Sequence, residues 1–279
     1  MHIQRNQLYV KTHSAAVVTA THDKGLIEFF SMSAPAKNRI LAALPPEEHA
    51  RLGPELHEVE MALGDIVYES GGRLDHVCFP TSCIVSLIYT MQDGAVAEMG
   101  LVGSEGMVGV ALFMGGNTMP NRAVVQVAGT AVRLKAAKLQ DEFSRGGPLQ
   151  KLLLRYSQAL ITQISQTAVC NRLHSVEQRL SRWLLLCHDR VGSDEFMMTQ
   201  EFISNMLGGR RQSVTGAAGR LQDAGLIQYS RGHIKILDRN GIENCACECY
   251  QVVKTELDRL LGGDVLLKAR TSAAGAATP

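Results

Sequence analysis

At "SRGGP", Ser144–Pro148, the hydrophobic period of this 279-residue chain changes. Upstream, from about Val59 to Leu139, short β-rich runs ("DIVYE", "HVCF", "CIVSLIYTM", "AVAEMGLV", "AVVQVAGTAVRL") are separated by Gly64, Gly71–Gly72, Asp93–Gly94, Gly103, Gly106 and Gly115–Gly116. Many short strands at that spacing predict an antiparallel barrel or jelly roll, and "QDG" between two of the runs predicts a hairpin. Downstream, Leu149, Leu153, Tyr156, Leu160, Gln163, Thr167, Cys170 and His174 recur at alternating spacings of four and three. That is the seam of a long helix paired with another helix, and its length favours a dimer over packing on its own domain. A chain of this length with one such switch folds as at least two parts.

The flanks are simpler. Residues up to about Ser33 lack periodicity and read as a weakly ordered extension. "PAKNRILAALPPEEHARLGPELHEVEM" reads as two short helices broken at Pro45–Pro46. "SVEQRLSRWLLLCHDRVGSDEF" is an amphipathic helix with Leu180, Trp183, Leu184 and Cys187 on its buried face.

Beyond it, "MMTQEFISNMLGGRRQSVTGAAGRLQDAGLIQYSRGHIKILD" holds a helix, a tight turn, a second helix and two strands. Thr199 suits the first N-cap, and Phe202, Ile203, Met206 and Leu207 form a core face. Gly208–Gly209 supplies a turn that needs positive φ. Val214, Ala217, Ala218, Leu221 and Ala224 line one side of the second helix, although Gly216 and Gly219 inside it each cost about 1 kcal/mol against alanine. "IQYSRGHIKIL" is a hairpin with Arg231–Gly232 at its tip. That order is a winged helix-turn-helix, and the whole chain reads as α+β. Between Thr199 and Lys235 five basic residues (Arg210, Arg211, Arg220, Arg231, Lys235) face two acidic ones (Glu201, Asp223), a local excess hidden by a net charge of +1.

These residues resemble the Crp/Fnr transcription regulators, over nearly everything from Asn38 to Asp238. "TQEFISNMLGGRRQSVTGAAGRLQDAGLI" is similar to the family's helix, glycine turn and recognition helix. "LVGSEGMVGVALFMGG" with "NRAVVQVAGTAVRLKAAKLQ" resembles its phosphate-cassette region, and "CACECY" looks like a feature of a rhizobial-type branch. The resemblance implies a cyclic-nucleotide-binding-like β-roll sensor over 36–147, after an extension over 1–35. A dimerisation helix over 148–175 follows, built on Leu149, Leu153, Tyr156 and Leu160. A winged helix-turn-helix over 176–262 and a tail over 263–279 complete the chain.

By the same resemblance, the helix at about 210–224 enters the major groove of an operator, where arginine pairs with guanine O6 and N7. Arg211 and Gln212 take the leading base-reading positions. Thr199, Arg210, Ser213 and Arg231 are the phosphate contacts. Gly216 stands where the family commonly places another base-reading arginine, so a different target is expected, with the glycines keeping that side shallow or serving helix packing. Expected partners are double-stranded DNA, a second copy of the chain and, for an activator, RNA polymerase. The effector pocket maps to Val110, Asn121, Arg122 and Ala123. It lacks the family's ribose glutamate and Arg-Ser pair, so a standard cyclic AMP site is not expected and the effector stays unassigned.

Other chemistries are constrained by what the sequence lacks. The first 77 residues hold no cysteine, which argues against an N-terminal iron–sulfur cluster. Cys245, Cys247 and Cys249 are three thiols that could hold a soft metal or act as a redox pair. A structural zinc site wants four ligands, for which His233 or Cys187 are the candidates to complete the set, and no metal or other cofactor is assigned. A jelly-roll metal enzyme would need a His-x-His…Glu set, and the strands offer His76 and little else. No phosphate loop, nucleophile elbow or metalloprotease signature occurs, so no enzyme is expected. A winged helix that binds a protein is the other alternative. No apolar run of about 18 residues exists to span a bilayer, and seven scattered cysteines suit a reducing cytoplasm.

Overall fold

The computed structural model describes residues 34–198, 200–207 and 211–262. All of them lie within one compact unit. The tail expected at 263–279, and the extension expected at 1–35 apart from its last two residues, fall outside them.

Helices α1 (Arg39–Ala42) and α2 (Pro46–Leu52) are the two short helices expected around the proline pair. Asn38 caps α1 through Oδ1, and its buried Nδ2 donates to Pro80 O at 2.9 Å and Gly106 O at 2.8 Å. One side chain thus caps a helix and ties it to the strands.

The strands are β1 (His57–Met61), β2 (Ile66–Tyr68), β3 (His76–Pro80), β4 (Ile84–Thr90), β5 (Val96–Val102), β6 (Arg122–Val127) and β7 (Gly129–Lys135). They form two antiparallel sheets, β1-β7-β3 and β2-β6-β4-β5, the jelly-roll arrangement. "HEVEM" is a strand, not the end of a helix: its charged residues face solvent, and only Met61 is buried. β4 and β5 form the hairpin expected at "QDG", with Gly94 at φ 84°. "AVVQVAGTAVRL" is two strands, because the chain changes sheets at Ala128. Gly129 makes the crossing possible: a Cβ there would lie 2.6 Å from Cys83 N.

Helix α3 (Ala136–Ser144) leads to α4 (Pro148–Leu173), which opens with Pro148 at its first position. At about 1.5 Å per residue, α4 spans roughly 39 Å. Ser175 closes a reciprocal capping box with Gln178 and starts α5 (Val176–Val191). Then come β8 (Glu195–Met197), α6 (Gln200–Leu207), α7 (Arg211–Asp223), β9 (Ile227–Ser230) and β10 (His233–Ile236). The sheet β8-β10-β9 has one strand more than the sequence led us to expect, since three residues give no readable alternation. Helices α8 (Arg239–Cys245) and α9 (Cys249–Leu261) close the described chain.

Leu260 and Leu261 of α9 are buried in the same core as α4 and the β-roll. A second core joins Trp183, Leu184, Ile203, Val214 and Leu221 to Ile84 and Leu101 of the larger sheet, so the helix-turn-helix part packs on the outer face of that sheet. No described helix is long and apolar enough to cross a membrane.

Candidate nucleic-acid interface

Among the described residues, helix α7 is buried along one side. Val214, Ala217, Ala218 and Leu221 are 0–5% exposed and pack on α5 and α6. Arg211, Gln212, Ser213, Thr215 and Gly216 face outward. Ala224, expected on the buried face, is exposed because α7 ends at Asp223 and Gly225 turns the chain at φ 72°. Phe202, half-buried, and Ile203, Met206 and Leu207, buried, form the core face of α6 as expected. The Arg179 guanidinium donates to Leu207 O at 2.8 Å, closing the end of α6 against α5.

The exposed side presents Arg211, Gln212 and Ser213 in the first turn of α7, where side chains of a docked helix reach base edges. One turn on, Gly216 leaves open space. A Cβ there would meet only Arg220 Nη1, at 3.6 Å, and at Gly219 nothing lies within 4 Å. Neither glycine therefore serves close packing among the described residues. Arg220 forms an ion pair with Glu177 of α5, which anchors the last turn of the helix. Thr199, Arg210 and the Gly208–Gly209 turn lie outside the described residues.

At the wing, Ser230 pairs with His233 and leaves the two-residue turn Arg231–Gly232. Both have positive φ, 49° and 81°, the combination of a type I′ hairpin turn. Arginine rarely adopts that conformation, and here it holds an exposed side chain at the hairpin tip.

The residues mapped to an effector pocket line neither of the two cavities found beside the roll. Ala123 is fully buried between Tyr68 and Leu87 as neighbours on adjacent strands. Asn121 is 1% exposed, and its amide donates to Tyr68 Oη at 2.9 Å. Arg122 shares a strand face with Val124, which packs on Met206 of α6, so the arginine belongs to the outer face of the sheet and not to the barrel interior. Val110 begins a 3-10 turn, half-buried against the core. A cavity of about 230 Å³ beside the roll is lined instead by Tyr68, Arg73, His76 and Arg133. Another, of about 420 Å³, is lined by Asn117, Lys135 and Gln140.

The residues expected to form the dimer seam are also placed differently. Leu149, Leu153, Tyr156 and Leu160 are 0–7% exposed within the chain's own core. Tyr156 Oη donates to Met107 O at 2.9 Å, over Gly106, where any side chain would collide with the ring. The free side of α4 carries Leu154, Ile161, Val169 and Leu173, exposed by 54%, 57%, 44% and 70%.

Two groups escaped the sequence. Arg190 of α5, 7% exposed, donates to Glu105 Oε1, Gln163 Oε1 and Leu186 O, each at 2.8 Å. It joins the strand loop, α4 and α5 in one buried network. Gly103 permits this approach: a Cβ would sit 2.7 Å from Arg190 Cγ. Cys247 and Cys249 meet Cys170 and His174 of α4, whereas Cys245, half-buried against the helix-turn-helix core, is not in that group. Nor are His233 and Cys187.

Residues 58–145 match the model of the cyclic nucleotide-binding domain, and residues 178–245 that of the Crp-like helix-turn-helix domain. No curated protein matches at a significant level. Among solved structures, FixK2 from Bradyrhizobium japonicum aligns with a TM-score of 0.60 at 14% identity, over 69% of this chain and 98% of that one. A regulator of the Crp/Fnr family from Eubacterium rectale gives 0.58 at 17% identity, over 75% and 98%. A transcriptional regulator of the CRP family from Thermus thermophilus, TTHB099, gives 0.56 at 17% identity, over 67% and 96%. At such identities the likeness is one of fold.

Proposed function

The chain belongs to the Crp/Fnr family, and from that premise we propose that it is a sequence-specific DNA-binding transcription regulator acting as a homodimer. The observation that carries this reading is the one-sided burial of α7: an apolar face locked onto α5 and α6, and an open face headed by Arg211, Gln212 and Ser213. Arg211 and Gln212 read bases, Gly216 lets the helix sit close to the groove floor, and Arg210, Ser213, Thr199 and Arg231 contact phosphate. A guanine-reading arginine contributes about 1–3 kcal/mol of discrimination.

The second copy docks on the free side of α4. Leu154 and Ile161 are seven residues apart, the repeat of a two-helix seam, and Val169 and Leu173 extend the stripe. The β-roll passes its signal to α5 through α4 and the Arg190 network. With Arg122 outside the barrel and no glutamate at Val110–Leu112, a standard cyclic AMP site is not part of the reading. The remaining expectations, an intracellular setting and contact with RNA polymerase when activating, follow from the regulator role.

Gel shifts on genomic fragments test it. Affinity should fall steeply with salt as phosphates are neutralised by arginine and lysine. Arg211→Ala should relax sequence preference by roughly 5- to 150-fold, the equivalent of about 1–3 kcal/mol. Salt-insensitive binding, or binding to protein but not DNA, would contradict the proposal.

A further inference from the structure

Cys170, His174, Cys247 and Cys249 bring one ligand atom each to within 4.8 Å of one another, and all but the half-buried His174 are buried. Cys170 and His174 are one turn apart at the end of α4, and His174 is its C-cap residue. Cys247 lies between α8 and α9, and Cys249 is the first residue of α9. Two short spacings, C-x3-H and C-x-C, separated by 72 intervening residues between His174 and Cys247, thus converge where the long helix hands over to the helix-turn-helix part.

Two of the separations match those around one tetrahedral ion, and the others stay within 4.8 Å. Zinc bonds of about 2.3 Å to sulfur and about 2.0 Å to nitrogen put ligand atoms roughly 3.5–3.8 Å apart at tetrahedral angles. Cys170 Sγ and Cys247 Sγ are 3.5 Å apart, and Cys249 Sγ and His174 Nδ1 3.6 Å. An iron–sulfur cluster places several atoms between its cysteine sulfurs and spreads them wider than this group allows.

The surroundings fit as well. Nε2 of His174 lies 3.4 Å from Glu248 Oε2, the carboxylate partner that orients a metal-bound imidazole and fixes Nδ1 as the ligand. Three thiolates and a neutral histidine around a divalent ion leave one negative charge. Arg182, 4% exposed, sets a positive field at Cys170 and Cys249, and also at Glu98. Its Nε and Nη1 have no hydrogen-bond partner among the described residues.

We propose that Cys170, His174, Cys247 and Cys249 form a structural zinc site that clamps the end of α4 to the α8–α9 junction. Binding deprotonates the three thiols and releases their protons; no electron is transferred. Four protein ligands close the coordination sphere, so the site is structural and not catalytic. Because the ligands come from opposite ends of the C-terminal half, ion binding is coupled to the folding of that junction.

The test is metal content of the full chain purified without chelator, with zinc and cobalt(II) as probes. About one zinc per chain is expected, retained through gel filtration. It should fall at least tenfold in Cys170→Ser/Cys247→Ser and stay unchanged in Cys245→Ser. Cobalt(II) added to the unmodified apo chain should give the intense visible bands of a tetrahedral ion and thiolate-to-cobalt charge transfer, a readout that needs no variant to fold. Failure to take up zinc, an octahedral cobalt spectrum, loss of metal in Cys245→Ser, or a Cys170–Cys247 disulfide in protein kept under reductant would each overturn the site. Metal is read without DNA, so the result is independent of what α7 binds.

Discussion

Gly216 is the residue where sequence and structure bear most directly on one another. Its open surroundings exclude close packing among the described residues, so replacing it with alanine should raise thermal stability by the equivalent of about 1 kcal/mol. The added methyl projects from the exposed side of α7, and operator affinity measured by fluorescence anisotropy should fall; equal affinity would mean that the glycine has no part in recognition. Glu98 is a second informative residue. It is buried, accepts from Ser86 Oγ at 2.5 Å, and burial pushes its carboxyl up to about 8. The folded chain therefore holds this proton between the ordinary 4.5 and about 8, where the unfolded chain has released it. Stability from the neutral carboxyl is complete below 4.5 and is lost as pH rises through about 8, at up to about 1.4 kcal/mol per pH unit. Glu98→Gln should flatten that part of the stability profile relative to the parent chain, and parallel profiles would show that the carboxyl is ionised throughout. Alternation within "AVAEMGLV" identified the strand but gave no warning that Glu98 lies under the helix-turn-helix part, a contact made across the sequence.

At the scale of elements, α4 shows what periodicity does and does not say. The four-three spacing found a real helix and a real buried face. It did not say what covers that face, because a helix on its own domain and a helix in a dimer show the same repeat. The polar positions decide it: Gln163 Nε2 donates to Leu101 O at 2.8 Å, and Thr167 accepts from Arg182, both inside the chain. A dimer must then use the other side. Ile161→Glu should convert dimer to monomer in analytical ultracentrifugation while leaving the fold intact. Leu153→Ala should instead destabilise the protomer by about 2–5 kcal/mol, as core truncations do. A dimer that survives Ile161→Glu would place the interface elsewhere. The strands and the helix-turn-helix were legible because each carries its own punctuation: glycine turns, the proline pair, an apolar face every third or fourth residue. β1, β8 and the C-terminal helices were not, being too short, too charged or dependent on partners far along the chain. Cys170 and His174 stood in the sequence as seam residues, and only the path of α9 back along α4 joins them to Cys247 and Cys249.

At the scale of the whole molecule, several connections among the described residues run between the β-roll and the part that carries α7. The outer face of the larger sheet bears on α5 and α6 through Ile84, Leu101, Val124 and Met206. The Arg190–Glu105–Gln163 network joins the strand loop to both long helices. The cysteine and histidine cluster holds the far end of α4. On the proposed reading, a change in the β-roll reaches α7 through these packed, hydrogen-bonded elements, and an effector would act by favouring one of two arrangements of them. The central claim, that two copies of α7 read DNA together, is tested most directly by selecting bound sequences from a random DNA pool with the intact chain. A two-fold symmetric site should be enriched, its half-sites centred about one helical turn, 10–10.5 base pairs, apart, and Arg211→Ala should blur the same position in both halves. Enrichment of no symmetric site, or a site unchanged by Arg211→Ala, would contradict it.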